Sequence, residues 1–215
     1  MNDEQVTFLT CGILFNKSFR VLDSWGSIAD EVLYNSGVFS PEFFTNISDT
    51  YTLQRYLNNP NKGHILTLNS ENLVLTQKLE NEFSLEFDQF KKRIEYLIEN
   101  VVIKYKLVTK RIGVVYVYPL TKEDMNKLFE NYLKVDIKGI TSFRFSQKDV
   151  TQTGLVRADI NNFYNKIITV GNIENDKPGI TFDYQLIFSP PHEDIRPVAI
   201  DFANKSYELF LEELK

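Results

Sequence analysis

The sequence predicts an α+β fold with antiparallel sheet and about four main helices, and three observations predict it. Short β-prone runs follow one another across turn residues, as in Gly63–Asn69 and Leu73–Leu79. Amphipathic stretches of helical period stand between groups of such runs. The resulting order, β-α-(β-β)-α followed by β-α-β-β-β-β-α, suggests one α+β domain made of two related β-α-β(n)-α halves, 1–108 and 109–215, the second wrapping a C-terminal helix.

The elements are read in order. Val6–Phe15 is rich in β-branched and aromatic residues and reads as the first strand; Phe19–Tyr34 then places Leu22, Trp25, Ile28, Ala29, Val32 and Leu33 on one helical face. Asn35–Lys62 carries Gly37, Pro41, Pro60 and many Asn and Ser residues, so it reads as a long connection with one irregular strand near Thr50–Tyr56. Ser70-Glu71-Asn72 between two β-prone runs fits a hairpin loop. Phe83, Phe87, Phe90, Ile94, Leu97, Ile98 and Val101 recur every three or four residues, which predicts a helix over Ser84–Asn100 with Ser84 as N-cap.

Arg111–Tyr118 reads as a strand closed by Pro119, and Thr121-Lys122-Glu123-Asp124 as a capping box that opens a helix. Four runs, Thr141–Gln147, Gly154–Ile160, Lys166–Val170 and Ile180–Phe188, then predict a meander with turns at Asn161-Asn162 and Asn175–Gly179, ended by Pro190-Pro191. Ile195–Leu214 forms the terminal helix, with Ala199, Ile200, Ala203, Tyr207, Phe210, Leu211 and Leu214 on its buried side.

Composition narrows the chemistry. With 43% hydrophobic and 25% charged residues the chain has ample material for a core. The net charge of −5 argues against a nonspecific nucleic-acid binder. No run approaches the roughly 18 apolar residues that span a bilayer, Val6–Phe15 follows Asp3 and Glu4 instead of a basic leader, and the single Cys11 forms no intramolecular disulfide; a cytoplasmic protein is expected. One cysteine and two histidines supply no Cys/His zinc signature, and neither a nucleophile elbow nor a Gly-rich phosphate loop occurs. Asp183–Ile187 has the look of a restriction-type nuclease strand, but Ile187 stands where that motif needs its lysine. No cofactor and no metal is expected.

Alternation places Arg157 with Asp159, and Asp183 with Gln185, on single faces of their strands, while Arg144 lies between Phe143 and Phe145. These five residues form a candidate ligand site on a sheet face, or alternatively an ordinary solvated face with cross-strand charge pairs. Lys91, Lys92, Arg93, Lys104, Lys106, Lys110 and Arg111 make the one basic concentration and a candidate nucleic-acid contact; the competing reading is a solvated helix face plus edge-strand protection. Phe39, Phe43, Phe44 and Tyr51 lie in the polar connection and are candidates for a partner surface. His192, just before the last helix, and His64, at a strand start, read as capping and solvation.

The stretch Lys110-Arg111-Ile112-Gly113-Val114-Val115-Tyr116, followed by Pro119, a helix and Ile140-Thr141-Ser142-Phe143, resembles a sporadically distributed prokaryotic protein family with no assigned activity. Its strand carries the pattern Arg-x-Gly-Leu-Arg-Tyr-x-Asn, preceded by a hairpin like Ile65–Thr76 and followed by an aspartate-bearing strand and a helix, like Thr181-Phe182-Asp183 and Ile200–Phe210. Arg111, Gly113 and Tyr116 match; Val115 and Tyr118 replace the second Arg and the Asn. The resemblance implies a prokaryotic component with a distribution like that of mobile or defence-associated genes. With no catalytic constellation in the sequence, the expected function is a non-enzymatic binding or assembly component that engages another protein or itself. A nucleic-acid-binding regulator or a metal-dependent nuclease or hydrolase subunit is the alternative.

Overall fold

The computed structural model describes residues 5–39, 45–49, 53–133, 142–149, 161–173 and 177–214. The α+β prediction holds. The strands are β1 (Phe8–Phe15), β2 (Thr45–Asp49), β3 (Gln54–Asn59), β4 (His64–Leu68), β5 (Asn72–Lys78), β6 (Thr109–Pro119), β7 (Phe143–Asp149), β8 (Asn161–Asn172) and β9 (Pro178–His192). They form one antiparallel sheet in the order β2-β3-β4-β5-β1-β6-β9-β8-β7. The helices are α1 (Arg20–Asp23), α2 (Trp25–Asp30), α3 (Phe83–Leu97), α4 (Lys122–Leu133) and α5 (Arg196–Glu213).

The order repeats a plan. In the first half β1 pairs with β5, the last strand of the meander β2 to β5, and α3 follows; in the second, β6 pairs with β9, the last of β7 to β9, and α5 follows. The two halves meet along β1 and β6, where Gly12 stands opposite Gly113.

One face of the sheet is the core face. Leu9, Cys11, Ile13 and Phe15 of β1 point into it, joined by Val114 and Tyr116 of β6 and by Phe182, Tyr184 and Leu186 of β9, all buried. Tyr116 sits at the convergence of α3 and α5: Phe210 stacks on it at 4.5 Å, Phe87 lies at 6.4 Å, and its hydroxyl is 2.9 Å from Ser206 Oγ. α4 reaches the same layer through Phe129, edge-on to Phe143 at 5.4 Å, and α2 continues into a π-helical turn whose Glu31 accepts a hydrogen bond from Tyr96 of α3.

Several expectations need correction. The connection after α2 contains a hairpin, β2 and β3, where one irregular strand was expected; Thr45–Asp49 is a polar edge strand without the alternation of a half-buried one. α3 begins at Phe83, and the Ser84 hydroxyl donates to Glu82 (2.9 Å) instead of capping the helix. Asn161-Asn162 is not a turn but the start of β8, paired with Ser189 and Phe188. Pro190-Pro191 does not end β9, because between the pairs Arg111–Ile187 and Thr109–His192 this strand bulges, and the prolines lie in the bulge, where the ladder to β6 demands no N–H of them. The meander run Gly154–Ile160 lies outside the described residues. The hairpin at Ser70 and the capping box are as expected: Asn69 Oδ1 accepts from the Glu71 and Asn72 N–H groups, and Thr121 Oγ1 accepts from Asp124 N at 3.0 Å.

Candidate functional site

The second face of the sheet carries no described helix. Along β1 and β5 every second residue is only half-buried, the mark of a face open to solvent. Strand register sorts its side chains into rows. One row runs Ile65, Thr76, Thr10, Val115, Asp183, Ile167 and Ser146. The next runs Thr67, Val74, Gly12, Gly113, Gln185 and Asn165. Flanking them, Phe8, Val117, Thr181, Thr169 and Arg144 align on one side, and Leu14 and Arg111 on the other.

The paired glycines leave a hollow at the middle of this face. A side chain added at Gly12 would meet no heavy atom within 4 Å, so nothing in the fold requires glycine there. Glycine inside a strand weakens it and often marks a place where a ligand or another chain comes close. Beside it Gly113 is roofed by its neighbours, with Asp183 Oδ1 3.6 Å and Gln185 Cγ 3.7 Å from where a Cβ would stand.

A hydrogen-bonded cluster borders the hollow. Gln185 Nε2 donates to Asp183 Oδ2 at 2.6 Å; Gln185 Oε1 accepts from Asn165 Nδ2 at 3.1 Å and from Arg111 at 3.4 Å; Ser146 Oγ is 3.3 Å from Asn165 Oδ1. Burial pushes the Asp183 carboxyl above its ordinary range, while the Gln185 hydrogen bond and the charges of Arg111 and Arg144 pull the other way without prevailing. An acid whose pKa is raised by folding is fully tolerated below its unfolded pKa, and it costs stability as pH rises through the interval up to the folded value. Asp183→Asn, which keeps the acceptor for Gln185, should therefore raise the melting temperature by a few degrees at about pH 7 and leave it unchanged at about pH 3. Thermal unfolding of both proteins across that range measures it. An equal effect at both ends would mean that the carboxylate's charge is not what costs stability.

The sequence-predicted sites are distributed as follows. Arg144, Asp183 and Gln185 do share this face, and Arg111, Asn165 and Ser146 join them; Arg157 and Asp159 lie outside the described residues. The basic set does not form one patch. Arg111 is on the open face, whereas Lys91 pairs with Asp88 (2.9 Å) on α3, not with Glu95, and reaches Asn204 of α5. Lys104 pairs with Glu31 (3.6 Å), and Lys92 and Lys106 are exposed. Lys110 and Arg111 cannot be edge protection, since β6 is interior to the sheet, and Tyr116 is fully buried and unavailable for stacking.

Phe39 is no partner surface: it is buried, with the Arg93 guanidinium 5.7 Å from its ring centre, while Phe43, Phe44 and Tyr51 lie outside the described residues. His192 Nδ1 accepts from Asp194 N (3.2 Å), and Asp194 in turn accepts from Arg196 N at the start of α5, in keeping with a capping role. Among the described residues no three His, Cys, Asp or Glu side chains group to hold a metal.

The sequence signal that was missed lies on α3. Glu86 and Arg93 fall on the same stripe as Phe83, Phe90 and Leu97, and both are buried. A second, apolar cavity of about 290 Å³ opens between α4, α5 and β7–β9, lined by Leu128, Phe143, Ile168 and Phe182, with the Lys166–Glu213 ion pair at its polar side.

No protein-family model matches the chain, and no curated protein matches it. Among solved structures it is similar to a rolling circle replication initiator protein from Geobacillus stearothermophilus, at 10% identity and a TM-score of 0.30 over 93% of this chain and 78% of that one. At that score the likeness carries no argument about this protein.

Proposed function

We propose that the protein is a binding component that engages another protein through its open sheet face. The observation that carries this reading is the glycine hollow: two strand-interior glycines face each other at the centre of the sheet, and the room above Gly12 is empty. Apolar side chains, Leu14, Val74 and Val115, surround it. Nine strands at a spacing of ~4.8 Å and about 20 Å long offer roughly 800 Å², close to what one partner contributes to a standard interface.

Charge selects the partner. Arg111 and Arg144 stand on this face with Asp183, two cations to one carboxylate in a chain of net charge −5. A partner segment that combines carboxylates with apolar side chains complements it.

The test uses a variant that should fold better and bind worse. Gly12→Val places a good strand former where nothing obstructs it and should raise stability by about 1 kcal/mol, read from urea denaturation. A photo-crosslinking residue at Thr10, on the open face, should trap a partner in host cells. The same residue at Leu85, exposed on α3, should not, and Gly12→Val should abolish the Thr10 product. No adduct above 25.1 kDa from Thr10, or an undiminished adduct in Gly12→Val, would overturn the reading.

A further inference from the structure

Beneath the first half, on the core side of the sheet, α3 and strands β3 to β5 enclose a polar cavity of about 210 Å³. Its floor is built from charged groups that a core does not need. Arg93 is 8% and Glu86 7% exposed. They are joined through the fully buried Gln77, which accepts from Arg93 and donates to Glu86. Asn81 Nδ2 donates to the second Glu86 oxygen at 2.6 Å, while Arg93 Nε is spent on the Val38 carbonyl at 3.0 Å. Both Glu86 oxygens are thus fixed by amides. Among the described residues the guanidinium keeps N–H groups with no close acceptor, its remaining contact, to Gln89, being 3.5 Å long.

The rim adds Lys62, His64 and Lys78. Lys78 is loosely paired with Glu80 at 3.4 Å. Counting every charged side chain that faces the cavity, three cations (Lys62, Lys78, Arg93) oppose two carboxylates (Glu80, Glu86), so it is net positive. His64 is held neutral, its pKa brought down to about 4, mainly by burial and then by Arg93.

We infer that this cavity binds the oxyanion group of a small metabolite, a phosphate or a carboxylate, on Arg93 with Lys62 and Lys78 closing over it. A buried guanidinium with unspent donors is the side chain suited to planar or tetrahedral oxyanions, and flexible lysines at the rim complete the charge balance. The cavity admits only a small molecule, and the site is independent of the open face on the other side of the sheet.

His64 is the reporter, because a bound anion must raise its pKa as reciprocally as the histidine's charge would strengthen binding. With only two histidines in the chain, the His64 and His192 imidazole signals can be followed by proton NMR. Inorganic phosphate and succinate, titrated separately against chloride at matched ionic strength, should give a saturable shift at His64 and not at His192, with the tighter of the two naming the group. The His64 pKa should rise by at least one unit at saturation. Lys62→Ala/Lys78→Ala, at the rim and harmless to the fold, should weaken binding at least tenfold. Shifts that stay linear for both anions, that appear equally at His192, or that are unchanged in the double variant would overturn the inference.

Discussion

Phe210→Ala is expected to remove about 3–5 kcal/mol of stability, the range for truncating a buried phenylalanine. Phe210 is fully buried, stacked on Tyr116 with an interplanar angle of 5° and edge-on to Phe182 at 5.3 Å. Its partner Tyr116 lies under α3 as well, 6.4 Å from Phe87 and 5.9 Å from Tyr184, so the lost ring leaves a void at the point where both long helices meet the sheet. Collapse into that void is opposed by the tie between Tyr116 and Ser206, whose hydroxyl also donates to the Ala203 carbonyl at 2.7 Å. Against a typical total of about 5–15 kcal/mol the loss is a large fraction. The urea midpoint should fall with the slope unchanged. Leu85→Ala, at a position 59% exposed on α3, should stay within about 0.5 kcal/mol. A Phe210→Ala cost below about 1 kcal/mol would show that α5 is held by something other than this aromatic stack.

Arg93→Met should cost a comparable amount, about 3–5 kcal/mol, for a different reason. The methionine fills much of the same volume, so the loss is electrostatic: Glu86 stays buried with Gln77 and Asn81 as its partners, and only the solvated rim lysines Lys62 and Lys78 are left to balance its charge. Arg93→Met/Glu86→Gln leaves no buried charge; one amide contact of Glu86 survives unchanged and the other is remade if Gln77, whose Oε1 no longer serves Arg93, turns its amide over, so the double variant should recover a good part of the loss. The coupling expected from the double-mutant cycle is about 1–3 kcal/mol. Additive effects would mean that the two residues do not form one electrostatic unit. Lys92→Met, one position away on the exposed side of the same turn, provides the contrast and should be near neutral.

These two effects also mark where the sequence was readable and where it was not. The stripe Phe83-Phe87-Phe90-Ile94 identifies α3, because apolar side chains at helical period have one place to go. Reading Lys91-Lys92-Arg93 as one solvated run fails because exposure follows the turn of the helix and not adjacency along the chain. Arg93 lies three residues from Phe90 and seven from Glu86, on the buried side. On the sheet, the sharing of a face by Arg144, Asp183 and Gln185 was legible, since parity within a strand fixes the face. The arrival of Arg111 and Asn165 beside them was not, because cross-strand register depends on pairings and bulges that a single strand does not encode. The strand β2 escaped for the opposite reason: at the sheet edge its sequence, Thr-Asn-Ile-Ser-Asp, has no obligation to alternate.

The seam between the halves bears on how the chain emerges from the ribosome. Once α3 has been synthesised, β1 can already pair with β5 on one side, but the strand that covers its other side, β6, is still to come. For that interval β1 shows a row of free backbone donors and acceptors with an apolar side behind them. Its opposite number in the finished molecule is an antiparallel strand with a glycine at the matching position, and β1 is itself such a strand. Two nascent chains on one polysome can therefore pair β1 with β1 about a true two-fold axis, in imitation of the pairing with β6. Prompt arrival of β6, which occupies that edge of β1, is what forestalls such a pairing.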